Sequence, residues 1–78
     1  MPTIMRRGGA RYFFYSNEGD EPPHVHVEYQ GQTAKFWLAP VNLARTSSMR
    51  LGDLRSVARI VEANAGYFQE VWHEYFGR

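Results

Sequence analysis

Three side chains able to move protons or bind metals recur at every second position in His24-Val25-His26-Val27-Glu28. Residues two apart in an extended strand point to the same side. His24, His26 and Glu28 would then line one face, with Val25 and Val27 on the other. Such a face has three uses. The imidazoles can serve as acid and base in RNA cleavage, with Glu28 orienting one of them and Lys35 and Arg11 stabilising phosphate charge. They can chelate a zinc-like ion with the carboxylate as third ligand. They can also be half-exposed strand residues hydrogen-bonded to the acidic loop before them. Spacing alone does not choose between these uses. The candidate catalytic set is His24, His26, Glu28 and Lys35, with no metal or other cofactor assigned.

The elements that must hold this face are marked out by the turns. Gly8-Gly9 separates a short strand at residues 3–6 from Ala10 to Tyr15, whose Tyr12-Phe13-Phe14-Tyr15 run has strong β propensity. Asn17 to Pro23 is an acidic loop ending in two prolines, which stiffen the approach to the strand His24 to Tyr29. Gln30-Gly31-Gln32 makes a second hairpin. Thr33 to Leu38 is the next strand, with Lys35 and Trp37 on one face and Ala34, Phe36 and Leu38 on the other. Ala39-Pro40 ends that strand, and Val41 to Ala44 is a short extended segment or fifth strand. Thr46, Ser47 or Ser48 is positioned to cap a helix.

From about Leu51 to Phe76 the period becomes helical. Leu54, Ala58, Val61, Ala65, Phe68, Trp72 and Tyr75 recur at alternating spacings of four and three. Gly66 costs about 1 kcal/mol against alanine there, so the segment is either one long helix or one kinked or broken near residues 64–66. Gly77 is a natural stop. The expected fold is α+β: one domain over residues 1–78, with a small antiparallel sheet of four or five strands against one long or broken C-terminal helix. That helix exceeds what strands of about 17–20 Å cover. Phe68, Trp72, Tyr75 and Phe76 are therefore expected to bind a partner chain, in a homo- or hetero-oligomer.

Composition narrows the functions. The 78 residues carry a net charge of +1, which excludes a polybasic nucleic-acid binder by bulk charge. There is no cysteine, hence no disulfide framework and no cysteine zinc site. Aromatic residues make up 15% of the chain and favour a real core. No run approaches a membrane span or a signal peptide, and Met1-Pro2-Thr3 reads as a native start, so the expected location is cytoplasmic. Eight of the nine cations are arginine. Arg45, Arg55 and Arg59, with Arg11 near the first hairpin, are candidates for RNA phosphates; the plainer alternative is a solvated face paired to Asp53 and Glu62. The acids Glu18, Asp20 and Glu21 lack calcium-loop spacing, and a solvated or clamped loop is the better reading. His73 lies next to the apolar stripe and within reach of the histidine strand only if the helix crosses it there.

Met1-Pro2-Thr3-Ile4, the run from Tyr12 to Gly19, the string Glu21-Pro22-Pro23-His24-Val25-His26-Val27-Glu28, Ala34 to Leu38 and Trp72 to Gly77 together resemble a family of short bacterial proteins, domain of unknown function 4160. The resemblance covers nearly the whole chain. Family members are often encoded beside a small protein of domain of unknown function 2442. It implies the toxin of a type II toxin–antitoxin pair, with a cognate small antitoxin-like protein as partner. A small growth-inhibiting ribonuclease fits that role; the alternative is a non-enzymatic binding subunit of a two-protein complex. Two stretches depart from the family pattern. Arg50-Leu51-Gly52-Asp53 replaces a Ser-Pro helix start, and Tyr29-Gln30-Gly31-Gln32 is less charged than the usual hairpin.

Overall fold

Two turns with left-handed backbone set the sheet. In the computed structural model, which describes residues 3–77, Gly8 and Gly9 take φ of +62° and +81°, and Gln30 and Gly31 take 49° and 79°. Positive φ at both central residues matches the twist of a tight antiparallel hairpin, and glycine supplies it without a Cβ penalty. Met1, Pro2 and Arg78 lie outside the described residues.

The strands are β1 (Thr3–Arg7), β2 (Ala10–Phe13), β3 (His24–Tyr29), β4 (Gln32–Leu38) and β5 (Val41–Thr46). They form one antiparallel sheet in sequence order. Every connection is a local hairpin or loop; side-chain alternation carries from β2 through β3 to β4, and register shifts interrupt it between Thr3 and Met5 in β1–β2 and between Lys35 and Phe36 in β4–β5. One face of the sheet presents Tyr12, Val25, Val27, Ala34, Phe36 and Leu38 to the helices. Met49, Val57, Val61 and Phe68 close this core from the other side, with Tyr12 and Phe68 stacked at 5.7 Å.

The helical segment is two helices, α1 (Leu51–Ala63) and α2 (Ala65–Phe76). The break falls on Asn64, whose φ of −118° leaves the helical range. Its side-chain Nδ2 donates to the Ile60 carbonyl at 2.8 Å, so the amide satisfies a carbonyl near the end of α1. Gly66 lies just inside α2 and does not itself mark the break. Neither Ser47 nor Ser48 caps α1. Their hydroxyls bond to Gln32, and Arg50 occupies the cap position without a side-chain bond.

Burial corrects the expectation that Phe68 and Trp72 pack on another chain. Both are buried within their own chain, as is Phe14, and a second aromatic cluster forms at one end of the sheet. Phe14 meets Trp72 at 5.3 Å and Phe76 at 5.4 Å, and Trp72 meets Phe76 at 4.3 Å. Tyr75 touches Phe14 yet stays half exposed. This cluster pins the start of the loop between β2 and β3, where Gly19 lies against the Phe76 ring.

The two glycines separate loop docking from helix propensity. A Cβ on Gly19 would lie 2.7 Å from the Phe76 ring, whereas one on Gly66 meets nothing within 4 Å. Gly19→Ala is expected to destabilise by about 1–3 kcal/mol. Gly66→Ala is expected to stabilise by about 0.5–1 kcal/mol. Urea unfolding of both variants checks this, and equal effects would contradict the packing described.

Candidate functional site

The helix-free face carries the polar groups. Pairing sets Phe13 opposite His26, Arg11 opposite Glu28, His26 opposite Lys35, and His24 opposite Trp37. Lys35 in turn pairs with Arg45 on β5. Cross-strand partners share a face, so these groups form one patch across β2 to β5.

The acidic loop folds back onto this patch. A turn closed by the Glu18 amide donating to the Tyr15 carbonyl, at 3.3 Å, brings the Glu18 side chain inward. One carboxylate oxygen of Glu18, Oε1, then lies 2.9 Å from Nε2 of His24 and 2.8 Å from Nε2 of His26. The Tyr15 amide donates to the same oxygen at 3.3 Å. His24 is wholly buried, between Trp72 at 4.7 Å and Trp37 at 5.6 Å. Its Nδ1 donates to the Pro22 carbonyl at 2.9 Å. His26 stacks on Phe13 and meets the edge of Tyr15. Glu21 takes Lys35, whose Nζ donates at 2.6 Å and also lies over the Trp37 ring.

Burial raises the Glu18 carboxyl, but the hydrogen bonds from His24 and His26 outweigh it and hold the group below its ordinary value. Burial pushes the His26 imidazole down, against the pull of Glu18; the charges of His24 and Lys35 add to the lowering. Neutral His26 then donates Nε2–H to Glu18 and keeps Nδ1 as a proton acceptor.

Of the residues singled out in the sequence, His24, His26 and Lys35 come together. Glu28 does not complete the histidine pair. Arg11 holds it through Nε and Nη2 at 3.2 and 3.1 Å. The carboxylate that joins the histidines is Glu18, ten residues earlier in the chain. Arg11 also covers the Phe13 ring at 4.2 Å. Arg45 lines a cavity of about 220 Å³ with Phe13, Tyr15, His26 and Lys35. Arg55 and Arg59 belong to α1, on the opposite layer, and do not share that cavity. His73 is exposed on α2, and the ring that α2 sends to His24 is that of Trp72. Glu18 and Tyr15 were missed as site residues because loop residues follow no period. The only signal was an acidic loop directly before a His-x-His strand.

The family model described as a domain of unknown function (DUF4160) matches residues 9–73 of the 78-residue chain. The chain belongs to this family. No curated protein and no solved structure matches it. The matched span holds β2 to β5, the acidic loop and every residue of the patch.

Acid should loosen this arrangement in two stages. His26 is depressed from 6.5 and Glu18 from 4.5, so between folded and ordinary values the unfolded chain binds more protons. Stability is fully present above pH 6.5, declines as His26 titrates below it, and declines again below 4.5. Thermal melts from pH 8 to 3 check this. Glu18→Gln is expected to cost about 1–3 kcal/mol at pH 7 and to remove the lower stage. An unchanged pH profile in that variant would contradict the shared oxygen.

Proposed function

We propose that this DUF4160 member is the toxin component of a bacterial type II toxin–antitoxin module, and that it inhibits growth by cleaving RNA at the patch on β2 to β5. The observation that carries the reading is the composition of the cavity. It sets a neutral imidazole beside an ammonium, a guanidinium and two aromatic rings. Tyr15, 42% exposed, is available to stack on a base. Lys35 and Arg45 would hold the phosphate and its developing charge, Lys35 after release from the exposed Glu21. Glu18 orients His26 through Nε2–H, and His26 Nδ1 takes the proton of an attacking 2′-hydroxyl; the new P–O2′ bond replaces the P–O5′ bond, and the leaving 5′-oxygen takes a proton from the Lys35 ammonium or from water. His24 is shut off from solvent and acts by positioning Glu18. The net charge of +1 is compatible with this role, because the cations needed are concentrated locally.

A second reading rests on a different surface. β5 is a sheet edge, and beside it Leu43 and Leu51 are 44% and 60% exposed, lining a groove with Phe36, Leu54 and Ala58. A non-enzymatic binding subunit would dock its partner there. In the toxin module, the same groove would take the cognate antitoxin-like protein.

Expression in a bacterial host, with and without a small neighbouring gene, tests the reading. Growth arrest relieved by co-expression is expected. Purified protein should cleave RNA without added metal, with His26→Ala lowering kcat about 10²–10⁴-fold. If RNA stays intact and His26→Ala/Lys35→Ala keeps the growth phenotype while Leu43→Asp loses it, the binding-subunit reading replaces this one.

A further inference from the structure

We propose that Glu18, His24 and His26 form a binding site for a divalent transition-metal ion of the zinc class. Among the described residues, one ligand atom from each of these three lies within 4.8 Å of the others. The Nε2–Oε1 separations are 2.9 and 2.8 Å. Zinc binds imidazole nitrogen and carboxylate oxygen at about 2.0–2.2 Å, and a tetrahedral centre then needs ligand atoms about 3.3 Å apart. Small outward shifts of the three groups satisfy that distance.

Proton bookkeeping points the same way. A carbonyl oxygen only accepts, so the Pro22 contact fixes the proton of His24 on Nδ1. Nε2 of His24 therefore faces Glu18 either as a lone pair or as the second proton of an imidazolium. In either form the contact calls for a positive charge, a proton or a metal ion, between Nε2 and the carboxylate oxygen. A divalent ion satisfies both imidazoles and the carboxylate together. The Nδ1–H bond to a backbone carbonyl is the support that orients a metal-binding histidine and raises its basicity. The rings of Trp37 and Trp72 keep that imidazole from turning away. Phe13 holds the His26 ring, and the turn at Tyr15 holds Glu18. With three protein ligands, the fourth position is left for water or an anion from the cavity beside His26.

The inference rests on these three groups and not on RNA as the substrate. It does meet the RNA reading at one point. A bound ion takes the Nε2 and Oε1 atoms that otherwise couple His26 to Glu18, so the ion inhibits the metal-free acid–base route.

Protein purified without a histidine tag and stripped with chelator should take up one zinc ion per chain in a calorimetric titration. Cobalt(II) in place of zinc should give the intense visible bands of a four-coordinate site. Glu18→Gln, checked for folding by circular dichroism, should weaken zinc at least about tenfold, the lower end of what supporting groups alone contribute. Glu28→Gln should leave zinc affinity unchanged. The proposal is overturned if the folded wild-type chain takes up no stoichiometric zinc, or if Glu18→Gln binds it as tightly as wild type. Zinc uptake by a chain that, stripped of metal, leaves RNA intact would keep this site and remove the RNA reading; cleavage by a chain that takes up no zinc would do the reverse.

Discussion

A single carboxylate oxygen, Oε1 of Glu18, is the point on which the polar half of this molecule depends. It receives two imidazole nitrogens and a backbone amide. Each of those groups belongs to a segment that would otherwise be loosely held. The amide ties down the loop, His24 faces the aromatic cluster, and His26 opens toward the cavity. Buried polar groups are costly unless satisfied. Here, one ionised side chain from a surface loop satisfies two histidines that the sheet register has placed side by side. Without it, His24 would bury an unpaired nitrogen against two tryptophans.

The apolar architecture makes that contact available. The core between sheet and helices accounts for Val25 and Val27, which fixes His24 and His26 on the opposite face. Beyond the break at Asn64, Trp72 and Phe76 of α2 reach Phe14, and Phe76 also reaches Gly19. That second cluster holds the loop close to the sheet, so Glu18 and Glu21 fall over the histidines and Lys35. Hydrophobic packing at one end of the sheet thus organises the charges on its helix-free face.

Much of the scaffold was legible in the residues themselves. The strand His24–Tyr29 is signalled by alternation after a double proline, and the two hairpins by Gly8-Gly9 and Gln30-Gly31. The antiparallel sheet and the α+β class are legible from periodicity, whereas the apolar stripe runs on through residues 64–66 and leaves one helix or two open. The acidic loop was legible as a hydrogen-bond partner of the histidines, but Glu18 as the residue that joins both was not. Glu28 satisfies the strand spacing, but the register of β2 against β3 puts Arg11 opposite it, and that register depends on how a ten-residue loop closes. Loop folding has no period to read. The placement of the helix aromatics was misjudged for a related reason. Length alone suggested an overhang, whereas Trp72 packs against its own sheet at His24. Among the described residues, no helix is long and apolar enough to cross a membrane.

The central claim is that Glu18, not Glu28, organises the histidines, with His24 held through both ring nitrogens. Long-range nitrogen–proton NMR of the histidine rings in the metal-free protein tests it most directly. The account expects a proton fixed on Nδ1 of His24, with Glu18→Gln shifting the Nε2 signals of His24 and His26 and Glu28→Gln shifting neither. A bare Nδ1 on His24, or ring signals that respond to Glu28→Gln and not to Glu18→Gln, would contradict it.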